Sequence, residues 1–382
     1  MQIIKYPPQF PISFYQDLSI VLPENNFWKK HVFEAVFTEL MEQEKEIITR
    51  LLGKLPLSPD RLNKSFESDA EILKYGSGRL LFTVDEFSSE DHFRDNDPYL
   101  LGWNLAAGTI SDILASGGEP YFYAHSLSLD ENWDLGYLDC FAQGIADVLK
   151  RTGAYFIGGD TGTSEKWHYT GIAMGNADTP MMRIGAAPGD VIYLTGEIGA
   201  GNLEAGLNHY SQKPLLRKLI LNYKTELPLR LPESRLIREY ATSCIDTSDG
   251  VLNSLVSISE LNHTGVMIGR LPYISTGLLA CKMLSRSKLC LFAGECGEYE
   301  LLFSIPKPDV KYFESAAKKR GFDFHRLGEV TKERTIKVLQ DGKKLDFSDF
   351  NISARSFNNI HDYLEELEEY LSRKTSIGIT VR

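Results

Sequence analysis

Five aspartates carry most of the chemical signal in this chain. They are Asp85 in LFTVD, Asp112 in GTISDILASGG, Asp160 in FIGGDTG, and Asp246 with Asp249 in CIDTSDG. Asp69, in ESDAEIL, is a sixth candidate. Each is expected at the end of a strand or the start of a helix, where ligands of α/β folds usually bind. One such carboxylate is ordinarily a cap or a turn former. Several that converge repel one another unless a cation neutralises them. Oxygen-only ligands suit Mg²⁺ or Mn²⁺, and either ion in turn holds the phosphates of a nucleotide. His92, in EDHF just beyond Asp85, is the one histidine near this acidic set in the sequence.

Other chemistries find less support. The P-loop pattern G-x-x-x-x-G-K-[ST] does not occur, and GEIGAGNLEAG (196–206) departs from G-x-G-x-x-G. That stretch reads better as a tight strand-to-helix connection. The G-x-S-x-G elbow of a serine hydrolase is missing as well. Five cysteines, an odd number with no C-x-x-C pair, favour neither a disulfide framework nor a zinc site. The net charge of -11 argues against holding nucleic acid through its phosphates, which takes Lys and Arg, and against anionic lipid. No uncharged apolar run reaches the ~18–20 residues of a membrane-spanning helix. The start, MQIIKYPPQF, breaks any secretory apolar stretch with Pro7 and Pro8, so the chain is read as cytoplasmic.

These aspartates need elements to position them. At 382 residues the chain is long enough for two domains, each with its own core. Residues 1–65 read as an N-terminal extension with one amphipathic helix, from Phe27 to Leu52. Strand patterns come next at RLLFTV, YFYAHSLSL, AYFIGG and HYTGIAMG, alternating with helices that start at Pro98 and near Leu135. Pro180, Pro188 and Gly189 place a boundary near 179. VIYLTG, GVMIG and ELLFSI are the strands expected beyond it, with helices from about Gly199, after Asp249 and near 310–320. HDYLEELEEYLS (361–372) is an acidic helix expected to present a solvated face. The expected domains are therefore 66–178 and 179–350, with a tail over 351–382. The class is a mixed α/β and α+β two-domain enzyme.

Taken in order, ISDILASGGEP, FIGGDTG, RIGAAPGDVIYLTG, CIDTSDGVLNSL and GECGEYELLFSIP resemble the aminoimidazole ribonucleotide synthetase superfamily. Within it they are nearest to the thiamine-monophosphate kinase family, as is TVDEFSSEDHF. The resemblance spans roughly residues 66–350. It implies an α/β N-terminal domain whose mixed sheet joins its partner's in a barrel-forming homodimer, and an α+β C-terminal domain. It also implies ATP held with Mg²⁺ on clustered aspartates. Two motifs depart from the family. Glu67-Ser68-Asp69-Ala70 replaces Gly-Asp-Asp-Ala, losing a glycine and a carboxylate, and Gly294-Glu295-Cys296-Gly297-Glu298-Tyr299 has one residue more than Gly-Gly-Glu-Asp-Tyr.

The activity implied is in-line transfer of the ATP γ-phosphoryl group to a small acceptor, in which positioning and charge neutralisation supply most of the rate. Asp69, Asp85, Asp112, Asp160, Asp246 and Asp249 are the expected metal ligands, with Asp112, Asp160 and Asp249 at the centre of the chemistry. Gly158, Gly159, Asp160 and Thr161 would admit the nucleotide, and Arg183 would offer a phosphate its forked cation. His92, Glu298 and Tyr299 fall on the acceptor side. Two alternatives stay open: an ATP-dependent synthetase that activates an amide or carbonyl oxygen, and a nucleotide-binding protein without catalysis.

Overall fold

The computed structural model describes residues 47–91, 93, 95–209, 225–357, 359–377 and 379–380. The expected helix from Phe27 lies outside them up to residue 46, and 47–52 are helical. The chain forms two compact units, 1–57 and 58–382. The second unit contains both sheets.

The first sheet has five strands: β1 (Glu71–Tyr75), β2 (Gly78–Ser88), β3 (Glu119–Asp130), β4 (Tyr155–Ser164) and β5 (His168–Asn176). Their order is β1-β2-β5-β3-β4, with only the β3–β4 pair parallel. Helices α1 (Pro98–Ala115) and α2 (Leu135–Thr152) are the two long helices of this half. Asp97 caps α1 by accepting from Leu100 N at 3.2 Å, and Pro98 supplies a preset first turn. Asp134 caps α2 in the same way, and Gly153 ends it at φ 79°. The two helices touch through glycines. A Cβ at Gly102 would sit 2.0 Å from Phe141 O, and one at Gly144 would sit 2.1 Å from Tyr99 O. Leu81, Tyr123, Tyr169 and Ala173 point from the sheet into the core with Leu101, Leu105 and Ile110 of α1.

Eight strands make the second sheet: β6 (Val191–Leu194), β7 (Ser243–Asp246), β8 (Gly265–Ile268), β9 (Leu301–Ile305), β10 (His325–Thr331), β11 (Ile336–Gln340), β12 (Lys343–Asp346) and β13 (Ile379–Thr380). They run β13-β12-β11-β8-β10-β6-β9-β7. Helices α3 (Ala200–His209), α4 (Leu231–Ile237), α5 (Val251–Asn262), α6 (Ser275–Leu284), α7 (Cys290–Ala293), α8 (Val310–Arg320) and α9 (Ile360–Ile377) complete this half. The runs VIYL, SCID and LLFSI are buried throughout, as strands covered on both faces must be.

Most elements read from the sequence are present. The short amphipathic β10–β12 region and helices α4, α6 and α7 were not legible. The acidic tail is more than a solvated face. Its helix α9 buries Tyr363, Leu367, Tyr370 and Leu371 in the second core, and β13 extends that sheet. Among the described residues no helix is long and apolar enough to cross a membrane.

Candidate active site

Five of the six aspartates converge where α1 meets the end of β7, and their carboxyl groups come from four segments of the chain. Asp69 precedes β1, Asp85 lies inside β2, Asp112 is in the last turns of α1, Asp246 ends β7, and Asp249 precedes α5. One oxygen each of Asp69, Asp112 and Asp246 lies within 4.8 Å of the others. The placement is not uniformly at element ends, as the sequence suggested. Asp85 reaches the site because the odd-numbered residues of β2 face α1, which is also why Thr83 Oγ1 donates to Asp112 Oδ2 at 2.5 Å. Ser111 Oγ donates to Asp246 Oδ2 at 2.7 Å, and Ser248 Oγ to Asp246 Oδ1 at 2.7 Å.

Burial and mutual repulsion dominate the electrostatics. Burial pushes the Asp69 carboxyl up to about 6, although Arg183 opposes it. Burial, then the charges of Asp246, Asp69 and Asp249, raise Asp85 to about 8. Asp112 is pushed well above the carboxylate range, again by burial first and then by Asp85, Asp246 and Asp69. Asp69 Oδ2 and Asp85 Oδ2 are buried without a hydrogen-bond partner. A buried acceptor in that state costs free energy unless something positive meets it. An all-oxygen set with two orphaned acceptors fits a hard divalent cation such as Mg²⁺.

Asp160 is not in this group. It lies in the middle of β4, opposite Ser126, which faces Thr170, which in turn faces Glu86. Asp85 belongs to the alternate row, with Gly171, His125 and Gly159. Side chains of successive residues point to opposite faces, so Asp160 shares the outer face with Glu86 while Asp85 faces α1. Three strand spacings add roughly 14 Å of separation across the sheet. Gly158 takes φ 144°, which only glycine adopts readily. A Cβ at Gly159 would lie 2.3 Å from His125 O, so β3–β4 packing already requires that glycine. Thr161 is exposed beside them.

Two of the remaining candidates have partners of their own. Arg183 directs Nε and Nη2 to Asp69 Oδ1 at 3.1 and 2.7 Å, so its fork grips a carboxylate in this structure. Glu298 is buried, and its two oxygens accept from Gly199 N, Ala200 N and Gly201 N at 2.7, 2.8 and 3.2 Å. It caps α3, and burial holds its carboxyl up at about 8 against those hydrogen bonds. Tyr299 is buried at φ 52°, and Asp246, Asp85 and Asp249 add to the burial that raises its phenol. His92 lies outside the described residues. Thr83, Ser111 and Ser248 went unread in the sequence, since a lone hydroxyl carries no pattern of its own.

Ser68 stands where the Gly-Asp-Asp-Ala motif that this stretch resembles has its first carboxylate. It is 7% exposed, and its Oγ lies 3.2 Å from Ser116 Oγ, which also accepts from Ala70 N.

Comparison with known proteins agrees with this architecture. Residues 67–177 match the family described as AIR synthase related protein, N-terminal domain. The thiamine-monophosphate kinase of Aquifex aeolicus (strain VF5) is 27% identical over 305 residues, 75% of this chain and 94% of the relative. That of Escherichia coli (strain K12) is 29% identical over 318 residues, 78% of this chain and 94% of its own length. In three dimensions, the solved structure described as AaThiL complexed with AMPPCP and TMP has a TM-score of 0.65 at 24% identity. It covers 77% of this chain and 91% of its own, which shows the two-domain α/β fold with mixed sheets. Residues 67–177 are thus similar to the N-terminal domain of AIR synthase related proteins, and the chain along most of its length is similar to thiamine-monophosphate kinases.

Proposed function

We propose that this protein is a kinase that transfers the γ-phosphoryl group of ATP to a small phosphate monoester of the thiamine monophosphate type. The observation that carries this reading is the convergence of Asp69, Asp112 and Asp246 beside two orphaned carboxylate oxygens, in a chain similar to kinases of that name. Asp69, Asp112 and Asp246 would hold Mg²⁺, with Asp85 and Asp249 at their side. The ion, when bound, would neutralise phosphate charge that the acidic pocket otherwise repels. Arg183 keeps Asp69 turned inward. Thr83 and Ser111 fix Asp112 and Asp246, so the carboxylates need little rearrangement to receive the cation.

On this reading residues 66–178 and 179–350 are the two lobes, and the nucleotide phosphates lie at the Asp69, Asp112 and Asp246 cluster rather than along Gly158, Gly159, Asp160 and Thr161, which belong to β4 at the outer edge of its sheet. Tyr299 and His92 fall to the acceptor side, while Glu298 acts on it only through α3. The first sheet leaves Val84, Tyr121, Phe122, Tyr155, Phe156 and Ile157 about half exposed or more. Such a patch on a sheet with an open β4 edge supports a homodimer in which two of these sheets meet as a barrel. The test is product analysis with ATP, Mg²⁺ and thiamine monophosphate. ADP and a doubly phosphorylated product are expected, whereas release of free phosphate alone would favour a synthetase-type reaction.

A further inference from the structure

An ion pair sits behind the loop that carries Asp246 and Asp249. Arg230 grips Glu300 through Nε to Oε2 at 2.7 Å and Nη2 to Oε1 at 2.6 Å. Thr195 Oγ1 donates to Glu300 Oε2 at 2.5 Å, and a Cβ at Gly196 would lie 2.1 Å from Glu300 Oε1. The carboxylate is therefore held on three sides. Its backbone clasps one residue of the acidic loop, Thr247. Thr247 N donates to Glu300 O at 2.9 Å, and Glu300 N donates to Thr247 Oγ1 at 3.0 Å. Thr247 O accepts from Glu298 N and Gly250 N at 3.1 and 3.0 Å. Every polar group of Thr247 is thus committed, and the residue is fully buried. Asp246 adjoins it, and Asp249 lies two residues further on.

We propose that Arg230, Glu300 and Thr247 are positioning residues for the cation site, setting where Asp246 and Asp249 stand without touching the ion. The proposal rests on the cation site argued above and adds to it a dependence on residues behind the loop. Outer partners that fix a ligand's orientation govern affinity because the ligand is otherwise free to turn away. The thread from Arg230 to Asp246 runs through two hydrogen bonds, which join one hydroxyl and three backbone groups, so Thr247 is its narrowest point.

The experiment titrates Mn²⁺ into the full chain by calorimetry, with the unfolding temperature of each variant recorded without metal. Thr247→Val and Glu300→Gln are expected to raise the Mn²⁺ dissociation constant about tenfold or more, and Thr247→Ser to stay close to wild type, as outer-partner losses do. Rescue by serine separates positioning from general loosening, because Val resembles Thr in shape and Ser shares only its hydroxyl. If Glu300→Gln does not fold, the Val and Ser pair decides. Wild-type affinity in Thr247→Val overturns the proposal alone. A wild-type chain that binds no Mn²⁺ overturns the cation site and this proposal with it.

Discussion

Ser111 Oγ donates to Asp246 Oδ2 at 2.7 Å, a bond between α1 of the first half and the end of β7 in the second. The acidic site is assembled across two halves of the chain, with Asp69, Asp85 and Asp112 from one and Asp246 and Asp249 from the other. Because Thr83 holds Asp112 on the same face, the site's shape depends on how α1 lies between the sheets.

Removing one inner carboxylate unbalances the cation site. Asp112→Asn is expected to weaken Mn²⁺ binding by about 10–100-fold while the protein still folds. Asp160→Asn faces away from the cluster at a distance where effects become independent, and should leave Mn²⁺ affinity within about twofold. Calorimetric titration of both variants checks this; equal losses would mean that the outer face of β4 shares the ion.

The pH dependence comes from the raised carboxyls. Asp69 at about 6 and Asp85 at about 8 bind protons in the folded chain that they release when unfolded, where carboxyls titrate near 4. Their contribution to stability is present below about pH 4 and is lost as pH rises through 6 to 8. Metal-free protein should therefore lose thermal stability between about pH 4 and 8, and added Mg²⁺ should raise the midpoint more at the upper pH. Thermal scans across this range give the answer; an equal Mg²⁺ increment at both pH values contradicts it.

Glu298 tests the difference between a substrate contact and a cap. Glu298→Ala leaves three backbone N–H groups of the Gly199–Gly201 turn without their acceptor, and should cost about 1–3 kcal/mol by denaturant unfolding. The loss should exceed that of Glu298→Gln, which keeps one accepting oxygen. Unchanged stability in Glu298→Ala would return the residue to the acceptor side.

Helix contact through glycine offers a further check. Gly102→Ala places a methyl 2.0 Å from Phe141 O, and separating α1 from α2 should destabilise the fold by about 1–3 kcal/mol. Because α1 also carries Asp112, Mn²⁺ affinity should fall with it. A variant as stable as wild type would show that the two helices separate freely.

Much of this was legible in the primary chain. Apolar periodicity located β2, β3, β5, α1 and α2, and the Gly, Ser and Thr neighbours of Asp85, Asp112, Asp246 and Asp249 singled those residues out. What escaped was parity and pairing. Asp160 and Asp85 look alike as aspartates in strands, but their faces are set by the β5 and β3 register between them, to which a single strand gives no clue. Arg183 looked like a phosphate ligand because its partner Asp69 lies 114 residues away. Glu298 looked like an acceptor contact because the three amides it caps are nearly a hundred residues upstream. Short strands β11 and β12, which include Lys337, Lys343 and Lys344, carry too little apolar signal to stand out.

The last helix has a reach beyond its own packing. Tyr363 Oη accepts from Glu295 N, and Glu295 in turn accepts from Ser353 Oγ and Ala354 N. The carboxyl-terminal segment therefore buttresses the loop that leads to Glu298 and Tyr299. Trimming the chain after residue 350 would strip Glu295 of Ser353, Ala354 and Tyr363 together, and so loosen the run of chain up to Tyr299.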